Sequence, residues 1–241
     1  CIIGDGLVSL ALANVLIRKN LPVDIVFDGN LKKYDKSRTI GISKSNIDYF
    51  NKEIVNIDKF LWKIKDIKIC SENFANNEIL NFSNDENCLF SMIKNHKLYE
   101  VINRKLKKSK IVKFKKNINY KTIIKERYSL IIVCDPKNNL SKKFFLIKFK
   151  KTYNSYAYTA ILKHQKIDNN QIAIQNFTKK GPIAFLPISK TETSVVYSLR
   201  DYDMKKNHDI KKLIKNFNPK YKITNINDCG KFELKSSNLR S

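Results

Sequence analysis

CIIGDGLVSL at residues 1–10 runs on through ALANVLIRKN (11–20) to LPVDIVFD (21–28), and the reading of this stretch decides the fold. Residues 1–4 are apolar up to a glycine, as the end of a buried strand is. Leu7 to Lys19 is apolar at almost every position, which suits a helix buried between two layers. Pro22 then introduces VDIVFD, a short apolar run that ends on an acid. Strand, glycine turn, helix and strand within 28 residues make a βαβ unit.

The turn carries chemistry. Gly4-Asp5-Gly6, with Ser9 three residues on, stands where a G-x-G-x-x-G fingerprint would. Gly4 allows the tight turn, and Gly6, lacking a Cβ, lets a pyrophosphate approach the helix N-terminus, where unpaired N–H groups and the dipole attract it. Ser9 replaces the third glycine and is small enough to keep helix and strand close. Asp28 lies 22 residues after Gly6, where a carboxylate can accept the hydroxyl hydrogens of an adenosine ribose. An acid there suits FAD or NAD better than NADP.

Working outward, RTIGISKSNIDYF (38–50) reads as a loop feeding a short helix, and 58–83 as β-rich. Residues 95–107 place Leu98, Val101, Ile102 and Leu106 on one helical face. Residues 110–115 alternate like a half-buried strand, and LIIVC (130–134) reads as a strand inside a parallel sheet. From about residue 145 the texture changes to short strand candidates at 154–163, 171–177, 183–188 and 193–200, then a basic helix at 203–216 and a strand starting at 231–234. The expected fold is α/β (α+β): a Rossmann-like dinucleotide-binding part in 1–145, with a β-rich excursion near 58–83, and a mostly antiparallel sheet in 146–241 packed on it.

Composition bounds the partners. With 241 residues and 42% hydrophobic content the chain can bury a real core. Its formal charge is +25, and six of the 47 basic residues are Arg, which leaves 41 Lys. Nucleic-acid readers lean on Arg for bidentate contacts, so no nucleic acid is expected. Lys rising together with Asn and Ile looks like AT-rich codon drift that yields a solvated surface, with an anionic membrane surface as the second reading. The five cysteines are scattered and the three histidines stand apart from them, so neither a zinc site nor a disulfide framework is suggested, and a reducing cytoplasm fits. No apolar run reaches the ~20 residues of a membrane span. Because Ile2-Ile3-Gly4 continues a strand, the sequence reads as starting inside a longer frame.

Four segments, in order, resemble the class A flavoprotein monooxygenases, especially the ubiquinone-biosynthesis hydroxylases. RTIGIS (38–43) is similar to the segment whose Arg approaches FAD, and Arg38 is the match. MIKNHKLYEVINRKL (92–106) resembles the helix whose leading polar side chain meets the flavin nucleotide, at Asn95. LIIVCDP (130–136) resembles the strand before an Asp-Gly motif, with Asp135 as the acid and Pro136 in place of the glycine. IAIQNFTKKGPIAFLPIS (172–189) resembles the substrate-side hairpin, in which Gly181 and Pro182 would set the turn and Ala184, Phe185 and Leu186 would wall the ring.

The resemblance implies FAD as cofactor, NAD(P)H as reductant, O₂ as co-substrate, and an aromatic substrate such as a polyprenylated phenol of ubiquinone biosynthesis. It also implies peripheral attachment to the inner face of the membrane, contact with other enzymes of that pathway, and a Gly-Asp flavin motif beyond Ser241, so that the sequence reads as a C-terminally truncated fragment. No acid/base pair is implied, because the cofactor carries the hard chemistry. Two rival readings are an NAD-dependent oxidoreductase and a non-catalytic basic binding module or decayed paralogue.

Overall fold

The computed structural model describes residues 1–27, 36–74, 77–83, 88–116, 120–126, 128–135, 138–144, 146–200, 209–227 and 229–240. Strands and helices are numbered in chain order. β1 (Ile2–Ile3), α1 (Leu7–Arg18) and β2 (Val23–Phe27) form the expected βαβ unit, with Ile2 opposite Ile25 in parallel register. Asn20, at φ 58°, ends α1 by letting the Leu21 amide reach back to the Leu16 carbonyl at 3.1 Å.

β8 (Val112–Lys116) and β9 (Ile132–Val133) complete a four-stranded parallel sheet in the order β8-β2-β1-β9. The LIIVC run thus pairs as a strand only at its centre. On one face, Ile2, Leu10, Ala13 and Ile25 pack with Leu98, Ile102 and Leu106 of α3 (Asn95–Lys107). On the other, Ile3 and Val26 meet Ile123 of α4 (Tyr120–Lys125) and Leu140 of α5 (Asn139–Phe144).

RTIGIS is not a loop. Thr39–Ile42 forms β3, which pairs antiparallel with β7 (Phe90–Lys94), itself flanked by β4 (Trp62–Ile64). α2 (Lys44–Tyr49) follows at once, capped by the Ser43 hydroxyl, which accepts from the Asn46 amide at 3.4 Å.

The third sheet has eight strands: β5 (Asp66–Ser71), β6 (Glu78–Ser83), β10 (Leu146–His164), β11 (Ile172–Thr178), β12 (Gly181–Pro187), β13 (Glu192–Arg200), β14 (Ile223–Ile226) and β15 (Gly230–Arg240). Their order is β14-β10-β13-β12-β11-β5-β6, with β15 also on β10, and every pair is antiparallel except β5 with β11. β5 and β6 therefore belong to the same sheet as the strands after 146. β10 begins well before the expected residue 154, because β15 pairs along its first half.

α6 (Ile210–Asn216), capped by the Asp209 carboxylate, covers one face of this sheet. It is shorter than the helix expected over 203–216, of which 203–208 lie outside the described residues. Ile210, Leu213 and Ile214 pack there on Tyr158, Phe185, Val195 and Tyr197. Because side chains alternate along a strand, Ala173 and Leu186 point the other way, against Ile64 and Met92 of the three-stranded sheet. Among the described residues no helix is long and apolar enough to cross a membrane.

Candidate nucleotide and ring site

Gly4 ends β1 at φ +118°, a conformation L side chains rarely adopt, with its amide on the Val26 carbonyl at 2.8 Å. A Cβ at Gly4 would lie 3.1 Å from Ser9 Oγ and 3.3 Å from Asp135 Cβ. Parallel pairing of β1 with β9 thus brings Gly4 and Asp135 together. The Asp135 carbonyl is occupied, accepting from the Asn138 amide at 3.1 Å and the Ser141 hydroxyl at 2.9 Å. Asp28 and Pro136 lie outside the described residues.

Gly6 is the N-cap of α1. It has ordinary extended backbone, and a Cβ there would meet nothing within 4 Å. The first turn of α1 holds no acid and its N-cap Gly6 makes no side-chain hydrogen bond, which leaves the positive end of the helix dipole at the glycine turn. Ser9 is buried in the position of a third glycine, and its hydroxyl has no partner among the described residues. A glycine would avoid that cost.

Arg38 and Asn95, 57 positions apart in sequence, are adjacent here: the Asn95 amide donates to the Arg38 carbonyl at 3.0 Å. The exposed Arg38 guanidinium sits 4.8 Å above the Phe232 ring. Asn95 opens α3 and is 5% exposed, with its Oδ1 unpartnered among the described residues. His96, which the sequence reading passed over, has a buried unpartnered Nδ1, and burial lowers its pKa, with Lys97, Lys94 and Lys36 adding to this against Glu100. Its one sequence signal is its place beside Asn95 in the first turn of α3. Asp5 was also passed over. It is buried, and one helical turn beyond Asn95 the Tyr99 hydroxyl is raised in pKa by burial and by the Asp5 charge, so the glycine turn and the head of α3 are neighbours.

The same corner is fastened to the large sheet. Ser37 Oγ lies 2.7 Å from Thr159 Oγ1, Thr39 Oγ1 donates to Ser194 Oγ at 2.9 Å, and Lys94 Nζ meets Glu192 at 2.7 Å. On the face away from α6, cross-strand partners form a row: Leu80 opposite Ile69, then Gln175, Ala184, Val196 and Thr159. Five strand spacings of ~4.8 Å give about 24 Å. Thr159 ends the row beneath Ser37 and Arg38. At the other end Leu80 is 53% exposed, with Phe82 and Phe177 about half exposed on the same face.

Two expectations for the hairpin are corrected. Gly181 and Pro182 do not form the turn, because Thr178 pairs with Gly181 and Pro182 with Phe177, leaving Lys179 and Lys180 as the two-residue loop. Gly181 is required for another reason: at φ +138°, its Cβ would stand 2.0 Å from the Ser198 carbonyl oxygen. Phe185 does not face the nucleotide side. It is fully buried under α6, with its ring 6.2 Å from that of Tyr221, whereas its neighbour Ala184 belongs to the row on the opposite face.

No protein-family model matches the chain, and no curated protein sequence does. Solved structures match in fold. The p-nitrophenol 4-monooxygenase of Pseudomonas putida DLL-E4 superposes at a TM-score of 0.75 and 11% identity, over 99% of this chain and 68% of its own. A 2-methyl-3-hydroxypyridine-5-carboxylic acid oxygenase does so at 0.74 and 9%, over 100% and 71%. A probable FAD-dependent monooxygenase of Pseudomonas aeruginosa matches at 0.61 and 10%, over 85% and 61%. The chain therefore has the fold of these monooxygenases and spans between 61% and 71% of their lengths.

Proposed function

We propose that the chain is the nucleotide- and ring-binding part of an FAD-dependent monooxygenase that hydroxylates an aromatic ring with NAD(P)H and O₂. Gly4, Gly6 and Asp135 surround the pyrophosphate, Asp28 takes the adenosine ribose, and Arg38 and Asn95 meet the flavin side. The observation that carries this reading is Asn95. Among the described residues its buried Oδ1 lacks a donor, in a corner bounded by the head of α1, the Arg38 guanidinium and the start of the sheet row. Buried polar atoms are rarely left so unless something else supplies the hydrogen bond.

These residues fit FAD: open space over Gly6 admits a pyrophosphate, and Asn95 offers an acceptor to a donor on the flavin nucleotide. Bound and reduced FAD supplies the chemistry that lets O₂ oxidise an electron-rich ring. The chain's own residues position that ring. Ala184 and Val196 give it a flat, small-residue floor, Gln175 offers a polar contact, and Thr159 and Ser37 close the inner end against water. A polyprenylated phenol fits the row further, because Ile69, Leu80 and Phe82 extend the apolar track to the sheet edge, where a tail leaves the protein. An anionic bilayer surface, on the inner face of the cell membrane, and other enzymes of ubiquinone biosynthesis are the partners that go with this substrate.

Titration of the purified chain with FAD, followed by quenching of flavin fluorescence, tests the proposal. Binding of FAD in preference to NAD, with O₂ uptake on adding NAD(P)H and a prenylated phenol, is the expected result. Binding of NAD with no uptake of FAD would favour a nicotinamide-dependent oxidoreductase and overturn it.

A further inference from the structure

A second cleft lies at the opposite end of α3 from the Arg38–Asn95 corner. It encloses about 300 Å³ between the C-terminal half of α3 and residues 55–60. Its floor is apolar, made by Val55, Phe60 and Val101, all half-buried. Its rim is cationic: Lys59 on one side, and Arg104, Lys105 and Lys108 on the other. From Asn95 to Arg104 is nine residues, about 14 Å at 1.5 Å per residue, so this is a separate place from the flavin corner.

Acids answer these charges only at longer range: Glu100, one turn before Arg104 on α3, is paired with Lys97 at 3.0 Å and acts more weakly on Arg104. The lining contains neither Asp nor Glu, the nearby Asp58 is engaged with the Asn51 and Asn56 amides, and Glu53 lies beside Arg18 and Lys52. Among the described residues Lys59, Arg104 and Lys108 are in no ion pair, while Lys105 donates to the Ile54 carbonyl and is held at the cleft wall. Four cations around a cleft with no acid in its lining call for an anion from outside. The half-buried apolar floor between them calls for a ligand that also carries hydrocarbon, which inorganic phosphate and nucleic acid backbone do not.

We propose that this cleft binds the headgroup of an anionic phospholipid, with the phosphate among Lys59, Arg104 and Lys108 and the glycerol and first methylenes on Val55, Phe60 and Val101. The cleft is thereby the point at which the protein seats on an anionic leaflet. Electrostatic attraction and apolar burial act together there, as in other peripheral membrane contacts. The proposal deepens the reading of an anionic bilayer as partner, and it is independent of whether the flavin corner is occupied.

Sedimentation of the full chain with vesicles tests it. Phosphatidylcholine vesicles are compared with vesicles that also contain phosphatidylglycerol, for the wild type, Arg104→Glu/Lys108→Glu, and Lys150→Glu/Lys151→Glu on β10, which changes net charge equally. Binding to the anionic vesicles only is expected, weakened on the order of 30-fold in the cleft variant and less than about 3-fold in the β10 variant. Equal losses in the two variants would mean diffuse attraction and overturn the cleft, as would displacement by inorganic phosphate at matched concentration or binding to neither vesicle. Arg104→Gln/Lys108→Gln repeats the test without charge reversal, and the circular dichroism of each variant reports folding. FAD titration of the cleft variant is expected to match wild type, so failure of the flavin reading and of this one are told apart.

Discussion

The amide of Asn95 donates to the carbonyl of Arg38 at 3.0 Å, joining the first residue of a helix to the residue that precedes a strand. This bond sets the corner at which three sheets converge. β3 and β7 bring its two ends together, Ser37 fastens it to β10, and the glycine turn lies near enough for the Asp5 charge to act on the Tyr99 hydroxyl.

Asn95→Leu separates fold from ligand at this corner. Its Oδ1 makes no hydrogen bond among the described residues, so melting temperature is expected to hold or rise slightly. FAD affinity is expected to fall about tenfold, the size of one lost hydrogen bond to a buried group. Parallel thermal melts and flavin titrations check both halves. A large drop in melting temperature would show that Asn95 serves the fold instead.

Two glycines are expected to respond in opposite ways. Gly181→Ala drives a Cβ to 2.0 Å from the Ser198 carbonyl at a φ of +138°, and a loss of about 3 kcal/mol or more in urea denaturation is expected. Gly6→Ala meets nothing within 4 Å and keeps wild-type stability, yet FAD binding is expected to weaken at least about tenfold where the methyl faces the pyrophosphate.

A buried polar network under β10 and β13 predicts a large effect from a small change. His164 Nδ1 donates to the Gln165 carbonyl at 2.7 Å, which leaves Nε2 to accept from the Thr193 hydroxyl at 3.0 Å. The Asn170 amide reaches the same hydroxyl at 3.4 Å. Thr193→Val keeps the volume but strips a partner from both groups, and about 1–3 kcal/mol is expected to be lost. Calorimetric unfolding measures it, and Thr193→Ser is expected to recover most of the loss.

Stability is expected to fall at both pH extremes through one cluster. Burial works against ionisation of Asp24, but the Lys115 ammonium at 2.9 Å and the Tyr128 hydroxyl at 2.6 Å outweigh it and hold its pKa below the usual value. A depressed carboxyl stabilises above its unfolded pKa of about 4, and that contribution is lost as pH falls below it. The Tyr128 hydroxyl is pushed up to about 12, by burial and then by its bonds to Asp24 and Glu126, so its contribution is present below about 10 and lost between there and about 12. Asp24→Asn is expected to flatten the acid side of a stability–pH curve and to lower the pH at which the alkaline side falls.

The opening βαβ unit was legible because its elements are local: Ile2–Ile3, Leu7–Arg18 and Val23–Phe27 stand where the apolar runs and the glycines put them. Thr39–Ile42 was hidden as a strand because it pairs with β7 alone and buries one residue, Ile42, so it shows no alternation. The first half of β10 was hidden because Lys150, Lys151 and Tyr153 are exposed and only the distant β15 orders them. At the candidate site, the meeting of Gly4 with Asp135 and of Arg38 with Asn95 follows from segments the sequence singled out. His96 and Gln175 carried no signal of their own.

By itself, then, the sequence determined the glycine turn of the βαβ unit and the existence of a mostly antiparallel sheet after it, since helix and strand periods and the conformational needs of glycine act over a few residues. The tertiary structure alone decided that Phe185 faces α6 while Ala184 is on the opposite face, that Lys179 and Lys180 make the turn, and that Leu80 and Thr159 end one continuous row. A strand places alternate side chains on opposite faces, and which set faces which neighbour is fixed by pairing with strands far away in the chain.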